Sequence, residues 1–143
     1  MTTKVDILYV EDDDVDIKAV QREFSKTNKQ VDITIAKNGI QALDSLYGRN
    51  GKHKIKPSAI LLDLNMPQMN GIDFLKELRR DFHFLDVKVF VLTGAYTTQE
   101  KLAISDLDVS GCIVKPLQHE DALNILWCVY ADKDASSLLF MQG

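Results

Sequence analysis

Five short apolar runs, each followed by a stretch whose apolar residues recur at helical spacing, constrain this chain more than any other feature. The runs fall at 5–10, 31–35, 59–62, 87–92 and 112–114 and are rich in Val, Ile and Leu. Such alternation marks repeated βα units, and strands covered by helices on both faces form a parallel sheet. The helical stretches are marked by Ile17, Val20 and Phe24, with Asp13 or Asp14 as N-cap, and by Ile40, Leu43 and Leu46, with Gly48 as the stop. Ile72, Leu75 and Leu78 repeat the pattern after Gly71, Leu102 supports a fainter helix over 98–105, and Leu123, Leu126 and Tyr130 support a fifth over 119–130.

A chain of 143 residues with 45% hydrophobic content suits one domain, placed at 1–131 with a tail at 132–143 and no separate output domain. A formal net charge of -4 argues against a nucleic-acid surface, which needs clustered Lys and Arg. Cys112 and Cys128 lack CxxC spacing, and the N-terminus lacks an apolar targeting region, so reduced thiols in a cytoplasmic protein are expected. No apolar run approaches the roughly 18 residues of a membrane span. The basic segment 48–57 reads as a solvated connection. The tail, apolar after the polar break at Asp132-Lys133-Asp134, is expected to fold back on the domain or to meet a partner. Trp127 reads as core or rim, and His53, His83 and His119 show no ligand spacing.

The run from Ile60 to Leu62 leads straight into Asp63, and the chain then breaks at Pro67 and Gly71. Open parallel sheets bind ligands outside the carboxyl ends of their strands, so a carboxylate at that point is placed for chemistry. The first run likewise ends in acid, Glu11-Asp12-Asp13. Carboxylates gathered around one cavity repel each other, raise at least one pKa and call for a cation. No Cys or His accompanies them, which disfavours zinc, whereas Mg²⁺ favours oxygen ligands and retained waters.

These motifs, in this order, resemble the receiver domain of two-component response regulators over residues 5 to about 130. Glu11 and Asp12 match the family's acidic pair, Asp63 its phosphoacceptor, Thr93 its hydroxyl after the fourth strand, and Lys115-Pro116 its last motif. The resemblance implies a flavodoxin-like (βα)5 three-layer sandwich with a parallel sheet in strand order 2-1-3-4-5. It implies Mg²⁺ on Glu11, Asp12, Asp63 and the backbone carbonyl of Asn65, with Thr93 and Lys115 pairing the phosphoryl oxygens. It also implies a cis Lys115-Pro116 bond, and Gly94 as the small residue beside the phosphoryl group. The expected donor is a sensor histidine kinase, and the extended loop before the third strand resembles single-domain regulators paired with phytochrome-type kinases. The expected output is contact with a downstream protein target, with a homodimer compatible, no nucleic acid and no membrane.

One position departs from the family pattern. Receivers place Tyr or Phe three residues before the Lys, and here Cys112 stands there; Tyr96, in the loop after Thr93, is the nearest aromatic candidate to replace it. Two other readings stay open. A haloacid-dehalogenase-type phosphatase also uses an aspartyl phosphate but needs an acid where Asn65 stands. A docking module that never cycles through phosphate would leave the acidic and basic machinery without a use.

Overall fold

The computed structural model describes residues 4–66 and 69–142, with side chains described through residue 131. Pro67, where the chain was expected to break, lies outside the described residues. Strands β1 (Val5–Val10), β2 (Val31–Ala36), β3 (Ala59–Asp63), β4 (Lys88–Thr93) and β5 (Gly111–Val114) form one parallel sheet in the order β2-β1-β3-β4-β5. Helices α1 (Asp14–Ser25), α2 (Gly39–Tyr47), α3 (Gly71–Arg80), α4 (Thr98–Ile104) and α5 (His119–Gln142) complete the flavodoxin-like arrangement expected from the sequence.

Local chemistry sets the helix ends. Asp13 accepts from the N–H groups of Val15 and Asp16 and starts α1, Asn38 and Asn70 start α2 and α3 in the same way, and Gly48 ends α2 at a left-handed φ of 68°. Arg79, not singled out in the sequence, ties α3 to neighbouring loops by donating to the carbonyls of Phe84, Val87, Leu107 and Asp108.

Strand alternation divides the core in two. Leu8, Val10, Ile60, Leu62, Val89 and Val91 meet α2, α3 and Ile104 of α4 on one face. Val5, Ile7, Tyr9, Ala59, Leu61, Phe90 and Leu92 meet α1 and α5 on the other. By the same alternation Glu11 and Asp63 continue the α1/α5 face, while Thr93 continues the α4 face. The strands β3 and β4 each run one residue further than expected, so Asp63 and Thr93 are themselves the last strand residues.

Several apolar residues expected to face the core do not. The buried stripe of α5 is Ala122, Ile125, Leu126 and Val129, which turns Leu123 partly and Trp127 fully away from the sheet, Trp127 being 73% exposed. In α2 the stripe is Ala42, Leu43 and Leu46, leaving Ile40 outward, and in α4 it is Ile104 that is buried while Leu102 is 71% exposed. The backbone of α5 continues to Gln142 rather than ending near Tyr130, because 131–142 holds neither Gly nor Pro and its polar break is compatible with helix. Whether the tail's side chains fold back lies outside the described residues.

Gly71 brings α3 against the end of β3. Its N–H donates to the Leu64 carbonyl at 3.2 Å, and a Cβ there would lie 2.3 Å from the Asp63 carbonyl oxygen and 2.6 Å from the Leu64 Cα. These are backbone atoms that cannot rotate aside. Gly71→Ala is expected to lower stability by about 1 to 3 kcal/mol despite the better helix propensity of Ala. Urea denaturation checks this, and an unchanged or higher midpoint contradicts it.

Candidate functional site

The site is built where β1, β3 and β5 end. Asp63 closes the central strand, is 4% exposed, and accepts from the Asn65 N–H at 3.1 Å. Glu11 extends β1 by one more ladder bond, its N–H donating to the Ala36 carbonyl, and is completely buried. Its Oε1 accepts from the Tyr9 hydroxyl at 3.0 Å. One oxygen each from Glu11, Asp12 and Asp63 lies within 4.8 Å of the others. Asp13 and Asp14 have other work: Asp13 caps α1, and Asp14 pairs with Lys37 at the surface.

Lys115 reaches this group from the loop after β5, beside a cis bond to Pro116. Its ammonium lies 2.8 Å from Asp16 Oδ2, 3.0 Å from Glu11 Oε1 and 3.5 Å from Asp63 Oδ2. Asp16 was not recognised in the sequence. The available signal was an acid one turn before Val20, on the sheet-facing row of α1 and at the helix end nearest the strand termini. Together Glu11, Asp12, Asp16, Asp63, Asn65, Gly94 and Lys115 line an open cleft of about 230 Å³, which Asp13 also borders. A larger groove of about 460 Å³ between Leu46, Ile55 and Phe84 gathers no comparable acidic cluster.

The electrostatics follow from crowding three carboxylates, Asp16, Glu11 and Asp63, around one ammonium. Burial, and then a hydrogen bond shared with Asp63, push Glu11 from the ordinary 4.5 to about 7, against the opposing pull of Lys115. Burial disfavours the charge on Lys115, but its hydrogen bonds to Asp16 and Glu11 and the charge of Asp63 outweigh this and raise its pKa. Burial and the charge of Glu11 raise Tyr9 as well, so its hydroxyl stays a donor.

Thr93 stands apart from this cleft. It is fully buried, and its Oγ1 donates to Glu100 Oε1 at 2.8 Å and accepts from the Ala95 N–H at 3.3 Å. Cys112 is exposed on β5, and its side chain beside the Tyr96 hydroxyl raises the Tyr96 pKa. The aromatic residue of the loop after Thr93 thus lies beside Cys112.

A buried aspartate at the end of the central strand of a flavodoxin-like sheet, with Glu11 and Asp12 beside it and the Lys115 ammonium reaching both Glu11 and Asp63, defines an acidic cleft centred on one aspartate. The response regulator receiver domain family matches residues 7–126, and the chain belongs to it. A solved two-component response regulator from Legionella pneumophila is 55% identical, with a TM-score of 0.85 over 90% of this chain and 99% of that one. Response regulator Rcp1 from Synechocystis is 26% identical over 84% of this chain and 82% of its own length. The Mn²⁺-bound structure of Rcp1 has a TM-score of 0.73 and covers 85% of this chain and 88% of that one. A phosphorylated cyanobacterial phytochrome response regulator, RcpA, is 25% identical, with a TM-score of 0.72 over 86% of this chain and 89% of that one. Other curated relatives are longer, and the match spans 30% of one and 47% of another.

The raised Glu11 has a consequence for stability. A carboxyl whose folded pKa lies above its unfolded value favours folding fully below the unfolded pKa, and this contribution is lost as pH rises through the folded pKa. Metal-free protein should therefore lose stability between pH 4.5 and about 7, with a slope of up to about 1.4 kcal/mol per pH unit from this group. Urea melts of the wild type and Glu11→Gln across this window measure it. The slope should flatten in Glu11→Gln, and equal slopes would show that another group carries the proton.

Proposed function

We propose that this receiver domain is a phosphoacceptor switch in which Asp63 takes a phosphoryl group from the phosphohistidine of a sensor histidine kinase. The observation that carries the reading is the placement of Asp63, buried beside Glu11 and Asp12 and within reach of the Lys115 ammonium. In the transfer the P–N bond to the donor histidine breaks and a P–O bond to an Asp63 carboxylate oxygen forms. Phosphoryl transfer asks the protein for positioning and charge neutralisation rather than covalent work. Glu11, Asp12, Asp63 and the backbone carbonyl of Asn65 would hold Mg²⁺, and the buried, proton-sharing state of Glu11 beside Asp63 fits a site built for a cation. Charge neutralisation of the acids and of the phosphoryl oxygens is the chemistry that such an ion would supply. Lys115 neutralises a phosphoryl oxygen from the other side by moving off Asp16, and Thr93 supplies a hydroxyl donor. Gly94 leaves the approach open, since nothing lies within 4 Å of where its Cβ would stand.

Relatives support this reading in both respects: Rcp1 holds Mn²⁺ in its structure, and RcpA is phosphorylated in its own. The likeness to phytochrome response regulators favours a phytochrome-type kinase as the donor. Family membership and Asn65 at the position of a dehalogenase's second acid stand against the phosphatase reading. The output is a protein contact rather than nucleic acid, because phosphorylation adds roughly 1.5 to 2 negative charges to a chain already at -4. The exposed apolar side chains along the β5 edge, Leu102, Val114, Leu123 and Trp127, suit a downstream protein target or a second copy. Among the described residues no helix is long and apolar enough to cross a membrane, and a cytoplasmic location fits the kinase partner.

With Mg²⁺ and acetyl phosphate, intact-mass analysis should show one added phosphoryl group, absent from Asp63→Asn. Labelling of that variant at the same stoichiometry would remove the assignment. Asp12→Ala should weaken Mg²⁺ binding by about tenfold or more, the scale of one lost charge-assisted contact, whereas Asp14→Ala should not. Equal losses in a metal titration would mean that the acidic pair is elsewhere.

A further inference from the structure

We infer that Glu100 is a positioning residue that holds Thr93 away from the cleft and links the movement of Thr93 to α4; this role rests on the phosphoacceptor reading of Asp63. Thr93 ends β4 on the side of the sheet covered by α4, whereas Glu11 and Asp63 project to the other side. A threonine hydroxyl has one proton to give. Glu100 Oε1 takes it at 2.8 Å, closer than the alternative acceptor, the Ala95 carbonyl at 3.2 Å, and the Ala95 N–H occupies a lone pair. The hydroxyl is thus committed on the α4 side, and the cleft is lined by Gly94 but not by Thr93.

The sequence around Glu100 shows that its carboxylate has been diverted. Thr97 caps α4 by accepting from the Glu100 N–H at 3.1 Å, which is half of a capping box. In that motif the glutamate returns to the N–H of the cap residue; here it turns to Thr93. Reaching a phosphoryl oxygen on Asp63 therefore requires Thr93 to leave a charge-assisted hydrogen bond, releasing a carboxylate in the first turn of α4. The same turn carries Lys101, whose ammonium lies 5.1 Å from the centre of the Tyr96 ring, and Tyr96 meets Cys112 on β5. With no ring at position 112, the contact chain from the cleft to the outer face starts at the Thr93–Glu100 bond.

A bond made only in the resting state opposes the active one, so removing it shifts the balance. Beryllofluoride, a mimic of the phosphoryl group, serves as the probe at saturating Mg²⁺. Glu100→Ala should bind it about threefold to tenfold more tightly than the wild type, with Glu100→Gln between them. In a Thr93→Ala background the same Glu100 substitutions should change affinity by less than about twofold. Amide exchange over Thr98–Ile104 should respond to beryllofluoride in the wild type and little in Glu100→Ala. Equal effects with and without Thr93 would mean that Glu100 merely shapes α4, and that result overturns the proposal. So would unchanged or weaker binding in both Glu100 variants, or exchange changes of the same size in wild type and Glu100→Ala; Glu100→Gln retains the test if the alanine variant fails to fold. A wild type that neither binds beryllofluoride nor is labelled on Asp63 overturns the phosphoacceptor reading and this role together. Normal labelling without the Glu100 effects overturns this role alone.

Discussion

The ammonium of Lys115 is shared among Asp16, Glu11 and Asp63 at 2.8, 3.0 and 3.5 Å, and the end of the sheet is organised around that one cation. With Asp12 and Asp13 also lining the cleft, five carboxylates share it with that single ammonium, so it carries surplus negative charge in a partly buried setting. A protein can meet such a surplus by holding a proton or by taking a second cation. The first appears as the raised Glu11, and Glu11, Asp12 and Asp63 stand close enough together for the second. The close seat of Gly71 against the Asp63 backbone belongs to the same arrangement, since it brings the start of α3 against the strand end that carries Asp63.

Strand alternation separates the two groups that complete the site. Glu11 and Asp63 lie on the face packed by α1 and α5, where Lys115 and Asp16 meet them, and Thr93 lies on the face packed by α4. The charged groups of the cleft and the Thr93 hydroxyl thereby fall in different layers of the sandwich. One layer gathers the charged side chains, and the other contains the short helix α4, with Tyr96 beside Cys112 of β5. Relatives that range from similar length to more than three times the matched segment show that one such module serves in proteins of different organisation. The chemistry resides in the cleft, and the destination of the signal resides in the surface around it.

Much of this was legible in the chain. The five βα units follow from apolar periodicity, and the N-cap of α1 and the Gly stop of α2 follow from local hydrogen bonding and backbone freedom. The grouping of Glu11, Asp12 and Asp63 was legible because acids at successive strand ends of a parallel sheet must converge. The orientation of α5 was not: Leu123, Leu126 and Tyr130 make as good a stripe by spacing as Ala122, Ile125, Leu126 and Val129, and only packing against α1 and the sheet decides between them. Trp127 was misjudged for the same reason, since a large apolar side chain carries no sign of which way its helix is turned.

Residue types and their order thus determined the layers of the fold, the strand ends and the acids placed there, because these depend on interactions between near neighbours in the chain. Tertiary structure alone decided which acid Lys115 approaches most closely and where the Thr93 hydroxyl is directed. The Lys115–Asp16 contact spans 99 residues. The Thr93–Glu100 bond spans only seven, yet it depends on how α4 docks against the sheet. Both are set by the relative placement of elements that no spacing along the chain encodes, and a difference of an ångström in that placement changes which hydrogen bond forms.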